Sequence, residues 1–279
     1  MKNDHIDLLY ITNNPRVAVV AEKAGIDYLF IDLEQRGKVE RQFGRDTVIS
    51  NHTFLDIKII KSYLSKSKLL VRINPFFEGT ADEVEMAIKN GADALMLPMF
   101  ESRYEVENFI KLVDKRAEVF LLLETKKSFD NLEDILSVTG IDRIHVGLND
   151  LHIQMNKTFM FELFIDGTIQ TIINLIKSKR PDIRYGFGGV GRIGEGLLPA
   201  SNILAYHYEM DSSSVILSRS FCDVSKINEV DIDYIITKGV EDIRRYYQSL
   251  TSKDLLFFEN NKKEMKVLIE KIVGRENVQ

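Results

Sequence analysis

Four short stretches of the chain carry side chains of the kinds that bind a cation and an oxo acid. They read Asp32-Leu33-Glu34-Gln35-Arg36, Arg72-Ile73-Asn74, Glu124-Thr125 and Gly147-Leu148-Asn149-Asp150, and each directly follows an apolar run. If those runs are the parallel strands of a barrel, the polar residues that end them share one face, the face that carries catalysis in such folds. Glu124 and Asp150, from neighbouring strands, then converge on one ion. Two carboxylate oxygens, with places left for substrate and water, form the hard, incomplete oxygen shell that suits Mg²⁺ or Mn²⁺. Arg72 can donate to a keto or enolate oxygen in the same place, stabilising negative charge where it develops. Taken singly, each residue reads equally as a strand cap or half of a surface ion pair.

Short apolar runs rich in β-branched residues alternate with amphipathic stretches, the pattern of parallel strands joined by crossover helices. Strands are expected at residues 8–12, 28–33, 69–73, 94–99, 119–123, 143–146, 184–187 and 214–219, with helices at 18–23, 54–64, 80–89, 104–113, 130–136, 159–177 and 197–210. Thr80 with Glu83, and Ser102 with Glu105, have capping-box spacing, while Gly25 and Gly91 stand where helices must stop. Eight strands favour closure. The fold class expected is α/β, a (β/α)8 TIM barrel over residues 1–225. Helices at 229–250 and 252–272 form an extension over 226–279, packed on the barrel or on a neighbouring subunit. An open doubly wound sheet shares the alternation but normally carries a glycine-rich phosphate turn after its first strand, where this chain has Thr12-Asn13-Asn14-Pro15. The glycines from Gly186 to Gly196 lie far down the chain and read as a tight loop on the active face.

Bulk properties narrow the function. A length of 279 residues suits one such barrel, which takes roughly 250. The net charge of −5 comes from interspersed acids and bases, without the basic stripe that nucleic acid would require. No apolar run approaches the roughly 18 residues of a membrane span, and the N-terminus has no leader pattern, so a cytoplasmic protein without a membrane partner is expected. The single cysteine, Cys222, reads as a small apolar filler. The residues 205–210 read as structural or interfacial, and Arg219, ending the last strand, as a group for a second substrate carboxylate or phosphate or as half of a surface ion pair. Terminal helices beyond the barrel point to a homo-oligomer.

Five ordered segments, Phe30-Ile31-Asp32-Leu33-Glu34, Val71-Arg72-Ile73-Asn74-Pro75, Gly91-Ala92-Asp93-Ala94-Leu95-Met96-Leu97-Pro98, Leu123-Glu124-Thr125 and Val146-Gly147-Leu148-Asn149-Asp150-Leu151, resemble the HpcH/HpaI aldolase and citrate lyase β-chain superfamily over roughly residues 6–222. The resemblance implies a metal-dependent barrel acting on pyruvate-like 2-oxo acids or acyl thioesters, with Glu124 and Asp150 as ligands of Mg²⁺ or Mn²⁺ and Arg72 at the oxo acid. It places backbone amides of Leu148, Asn149 and Asp150 around the substrate carboxylate, a close approach that suits Gly147. Asp32 would lie on the same face as a polar support or water binder.

The chain departs from the family pattern after Glu34. Where the aldolase branch has a histidine base and the citrate lyase branch an aspartate, this chain has Gln35, beside the substrate but unable to titrate. His52, in the long segment after the second strand, and His152, just after Asp150, are the candidates for a relocated base, with a solvated or structural histidine as the other reading of each. His145, inside a strand, reads as a satisfied core histidine. The expected function is a divalent-metal-dependent carbon-carbon lyase or aldolase working through the enolate of a pyruvate-like 2-oxo acid. The alternatives are an acyl-CoA lyase of citryl or malyl type and a non-catalytic protein that binds metal and oxo acid.

Overall fold

The computed structural model describes residues 4–37, 50–218, 221–223 and 228–276. Eight strands, β1 (Asp7–Ile11), β2 (Tyr28–Asp32), β3 (Lys68–Arg72), β4 (Ala94–Leu97), β5 (Glu118–Leu123), β6 (Arg143–Val146), β7 (Arg184–Val190) and β8 (Ser214–Leu217), pair in sequence order and close through β8 onto β1. Every pairing is parallel. The strands read as nearly continuous apolar runs because both of their faces are buried. Leu9, Phe30, Leu70, Met96, Phe120 and Leu122 fill the lumen, while alternate residues such as Leu8, Leu29, Leu69, Leu95 and Leu121 face the helices.

The crossover helices are α1 (Pro15–Ala24), α2 (Phe54–Tyr63), α3 (Thr80–Lys89), α4 (Arg103–Val113), α5 (Lys126–Asp130), α6 (Leu132–Ile135), α7 (Leu148–Gln154), α8 (Glu162–Ile165), α9 (Thr168–Lys179) and α10 (Ala200–Met210). Asn14 caps α1 by accepting the amides of Arg16 and Val17, Pro15 occupies its first turn, and Gly25 ends it in the left-handed conformation at φ 96°. The Ser102–Glu105 capping box forms as its spacing predicts. The Thr80–Glu83 box does not. Gly79 is the N-cap there, Thr80 accepts the amide of Phe77, and the Glu83 carboxylate turns inward to the two N–H groups of Asn74. An inward glutamate with two strong donors at hand has no reason to reach back to its own helix start.

Two helices expected as continuous are broken. The segment 159–177 divides into α8 and α9 at Gly167, whose φ of 89° no helix accommodates, and 130–136 divides into α5 and α6 at Asn131. The short helix α7, opening directly from β6, was not expected from periodicity. Two further helices follow the barrel, α11 (Glu229–Ser249) and α12 (Leu255–Glu276). The first packs between α1 and α10 and completes the outer ring; the second lies over α10 and α8. All of Tyr206, His207 and Tyr208 of α10 are buried, His207 stacked on Phe187 of β7 and Tyr208 against Tyr247 and Phe258 of the two added helices. A polar clasp fixes α12 in register, with Asn202 donating to Asn261 Oδ1 at 2.8 Å and Asn261 donating back to the Asn202 carbonyl at 3.1 Å. Among the described residues no helix is long and apolar enough to cross a membrane.

Candidate active site

The site grows from the ends of β2, β3, β5 and β6. Asp32 and Arg72 are register partners on adjacent strands, and the planar guanidinium takes the carboxylate in a fork: Arg72 Nε donates to Asp32 Oδ1 and Nη2 to Oδ2, each at 2.8 Å. Glu34, two residues beyond Asp32 and hence on the same side of the extended chain, brings Oε2 to 3.4 Å from Arg72 Nε. Burial works against the charge on Arg72, but Asp32 and Glu34 more than offset it, so its ionisation is pushed further up.

Asp32 is held from the other side as well. Ser50 donates to its Oδ2 at 3.0 Å, and His52 Nδ1 lies 3.0 Å from its backbone N–H. An amide only donates, so His52 Nδ1 is the acceptor and the neutral ring carries its proton on Nε2. Thr12 still donates its amide to Phe30 of β2, while its hydroxyl accepts the Asn14 amide at the start of α1, and His52 takes up the Asp32 amide at the top of β2.

Glu124, at the end of β5, is 4% exposed. Its Oε1 accepts the amide of Met99 at 3.2 Å, and Met99 sits in the left-handed region at φ 52° to present that N–H. Across from it, a Cβ on Gly147 would stand 2.8 Å from both Cβ and Oε2 of Glu124. Only a bare Cα lets the β6 turn come this close. That turn opens α7, where Leu148 is buried, Asn149 is exposed and Asp150 is half-buried in the first helical turn. Burial pushes the Glu124 carboxyl well above the ordinary carboxylate range, the charges of Glu34 and Asp150 push it further, and Arg72 pulls against them. A buried carboxyl crowded by two others is a donor set suited to a divalent cation, whose charge would relieve the crowding.

The remaining predicted residues sit around this centre. Gln35 and Arg36 donate their backbone N–H groups to Asn74 Oδ1, both at 2.9 Å, and Glu83 holds Asn74 in turn. The Gln35 side chain is thereby presented to solvent at the mouth, and the Arg36 guanidinium lies 4.1 Å from the centre of the Phe77 ring. His152 donates from Nδ1 to the Leu148 carbonyl one turn back, at 3.0 Å. His145 is buried with one nitrogen bonded to the Gly188 carbonyl and Nδ1 lacking a hydrogen-bond partner among the described residues, so the expectation of a fully satisfied histidine holds for half of the ring. Burial pushes the Cys222 thiol up, away from nucleophilic use. Arg219 lies outside the described residues.

Glu34 and Asn74 stand in the strand-end stretches without an assigned role, and neither the Met99 amide nor Glu83 as the partner of Asn74 is expected from the sequence. A signal for Glu34 was present, since it follows Asp32 at the strand period of two. The Met99 amide has none, because a backbone conformation decides it.

The family model for HpcH/HpaI aldolase/citrate lyase matches residues 7–160. The HpcH/HpaI aldolase from Desulfitobacterium hafniense DCB-2 superposes with a TM-score of 0.63 at 15% identity, covering 86% of this chain and 93% of that one. An HpcH/HpaI aldolase/citrate lyase family protein from Burkholderia cenocepacia J2315 gives 0.60 at 14% identity, covering 90% and 96%. The citrate synthase SbnG gives 0.56 at 14% identity, covering 77% and 86%. At these identities the likeness is one of fold. A curated relative, the highly reducing polyketide synthase Dhc3 of Alternaria cinerariae, is 29% identical over 140 residues, which are 48% of this chain and only 6% of that protein.

Proposed function

Since the chain belongs to the HpcH/HpaI aldolase/citrate lyase family, we propose that it is a divalent-cation-dependent carbon-carbon lyase that works through the enolate of a pyruvate-like 2-oxo acid. The observation that carries this reading is the buried Glu124 carboxyl, crowded by Glu34 and Asp150 and set beside Arg72. Glu124 and Asp150 would hold Mg²⁺ or Mn²⁺, and the bound cation would supply Lewis-acid polarisation of the 2-oxo group.

The protein's own groups do the rest. Asp32 occupies Nε and one Nη2 hydrogen of Arg72, which fixes the guanidinium plane and leaves its outer N–H donors for the keto oxygen. As the bond beyond the keto carbon breaks, negative charge moves onto that oxygen, and an arginine already oriented stabilises it without reorganising. Amides in the first turn of α7, at Leu148, Asn149 and Asp150, have no acceptor within the helix and suit the substrate carboxylate. The Gln35 amide group at the mouth can hydrogen-bond the distal half of the substrate but cannot take its proton. His52 serves through Asp32: with Nδ1 committed to the Asp32 amide, it positions the Asp32–Arg72 pair, and it accepts a proton only when that hydrogen bond is released.

The lack of a titrating group at Gln35 supports a second reading, a binder of metal and oxo acid without turnover. Exchange of pyruvate methyl protons into heavy water, with Mn²⁺ present, separates the two because it registers enolate formation without the distal half. Exchange above buffer supports the lyase; its absence beside intact oxalate binding supports the binder. Calorimetric titration with Mn²⁺ and then oxalate tests the site itself, and binding that survives in both Glu124→Ala and Asp150→Ala would sink it.

A further inference from the structure

β7 slips out of register with β8 between Gly186 and Gly189. Such a slip is a β-bulge, which bends the strand and removes part of its backbone from the ladder. Gly188, inside the slipped stretch, sits at φ 58°, and its carbonyl is met by His145 Nε2 at 3.0 Å. A carbonyl only accepts, so Nε2 carries the ring proton and is the donor. His145 is 1% exposed and stands opposite Gly186 in the β6–β7 pairing. A Cβ on Gly186 would stand 2.2 Å from Ser214 Oγ, 2.3 Å from the Ser214 carbonyl and 3.0 Å from His145 Nδ1, so the bare position serves the β8 contact first and leaves room for the ring as well. Burial lowers the His145 pKa to about 4, which keeps the ring a neutral donor at ordinary pH. An imidazole buried with one nitrogen unpaired is an expensive filler for a barrel lumen, where leucine or phenylalanine would do. The expense makes sense if the other nitrogen is needed.

The bulge reaches the active site. A Cβ on Gly188 would lie 2.5 Å from Leu148 Cδ1, so Leu148 seats in a notch that only glycine leaves open. Leu148 is the first residue of α7, and Asp150 follows two residues later. On the other flank of the same turn, Gly147 abuts Glu124. The turn that carries Asp150 is therefore wedged between Glu124 and the bulge, and the position of the bulge sets how Asp150 faces Glu124.

We propose that His145 is a positioning residue: its Nε2–H clamps the Gly188 bulge, the bulge seats Leu148, and Leu148 fixes Asp150 opposite Glu124. Its functional consequence rests on the reading of Glu124 and Asp150 as a cation site. His145 itself touches neither ion nor substrate.

Two substitutions separate the donor from the bulk. His145→Leu removes the N–H, and His145→Gln places an amide N–H near the reach of Nε2. Mn²⁺ affinity is measured by calorimetry on the full chain, alongside hydrogen–deuterium exchange of the amides at 147–151. The expected result for His145→Leu is Mn²⁺ affinity weakened by about tenfold or more, with His145→Gln within about threefold of the parent. Exchange at 147–151 should speed up in His145→Leu while β1 to β4 stay protected, and should return to the parent level in His145→Gln. Should His145→Leu fail to fold, Gly188→Ala attacks the same wedge from the other side, through the Cβ that meets Leu148, and is expected to give the same selective acceleration. If the parent chain binds no Mn²⁺, the cation reading falls, but the exchange pattern still decides whether His145 holds the turn. Parental exchange at 147–151 in His145→Leu or Gly188→Ala, acceleration spread evenly over the barrel, or His145→Gln behaving like His145→Leu would each overturn the proposal.

Discussion

At the N-terminal end of the barrel, Arg143 pairs with Asp7 and Glu118, each at 2.6 Å, Arg184 reaches Asp7 at 3.1 Å, Lys68 reaches Glu118 at 3.0 Å, and Arg244 reaches Asp27 at 2.6 Å. At the C-terminal end, Asp32, Glu34 and Glu124 gather around Arg72, and Asp150 lies beside Glu124. Of the groups just named, four cations face three carboxylates below, and one cation faces four above. Below, charge neutralises charge and the result is a structural plug. His5, Asp7 and Asp27 do bring ligand atoms within 4.8 Å of one another there, but Arg143, Arg184 and Arg244 already hold the two aspartates and oppose a divalent ion. Above, among the described residues, Arg72 leaves negative charge in excess, and burial first, then the charges of Glu34 and Asp150, push the Glu124 carboxyl up. Excess buried charge of one sign costs stability, which is why such a cluster points to a functional site.

The largest effect should come from breaking the lower plug. Arg143 is nearly fully buried, and Arg143→Met strands Asp7 and Glu118 without their main partner. A loss of about 3–5 kcal/mol in unfolding free energy is expected, with Mn²⁺ affinity per folded molecule unchanged. Denaturant titration and calorimetry on the same preparation check both halves, and a loss of affinity without a loss of stability would erase the distinction between the ends. Above, Arg72→Lys keeps the charge but loses the fork that Asp32 fixes. Pyruvate proton exchange should fall by about 10²–10³-fold, the cost of losing one oriented donor to a developing oxyanion. Unfolding free energy should change far less than for Arg143→Met.

The fold was legible because its signal is repeated. Eight apolar runs such as Leu69-Leu70-Val71 and Arg143-Ile144-His145-Val146 each end in polar residues, and the rhythm survives an error in any one boundary. The errors fell where a single residue decides, as at Gly167 between α8 and α9, or where a side chain had a better partner than its own helix, as with Glu83 and Asn74. The carboxylates and Arg72 were legible as strand ends. The contacts that hold them were not: the left-handed turn at Met99, the return of Ser50 and His52 to Asp32, and the bulge behind Leu148 are tertiary facts with no local pattern.

Acid provides a milder test, acting on the layer between the two ends. The His145 pKa lies near 4 in the folded chain against 6.5 when exposed, because burial disfavours the charged ring. Between those values the unfolded chain binds the extra proton, so stability is present above pH 6.5 and is lost as pH falls toward 4. The full loss from this group is roughly 3 kcal/mol. His207, lowered by burial for the same reason, acts in the same direction; Glu118, whose ionisation Arg143 and Lys68 favour over burial, does so only below its ordinary 4.5, and Glu124, pushed up mainly by burial, acts in the opposite direction. In urea titrations at pH 7, 6 and 5 the parent should lose stability relative to His145→Gln as pH falls, a difference that isolates His145 from Glu124. An unchanged slope in that variant would mean that His145 titrates in the folded chain as it does in the unfolded one.

The smallest effects compare one glycine from each end. Gly25, where α1 turns into β2 at the lower end, has φ 96° and nothing within 4 Å of where a Cβ would stand. Gly25→Ala therefore costs only the left-handed backbone, about 1 kcal/mol, and should leave Mn²⁺ binding untouched. Gly147 has an ordinary backbone, φ −80° and ψ 95°, but its Cβ would press on Cβ and Oε2 of Glu124 at 2.8 Å. The carboxylate end can swing aside; the Glu124 Cβ, fixed to β5, can yield only by moving the strand end or the turn. Gly147→Ala should thus cost more unfolding free energy than Gly25→Ala, about 1–3 kcal/mol, and weaken Mn²⁺ by about tenfold, the scale expected when a ligand's support shifts. If the two alanines reverse, with Gly25→Ala weakening the ion and Gly147→Ala costing only stability, the close approach at Gly147 serves packing and the upper end resembles the lower one.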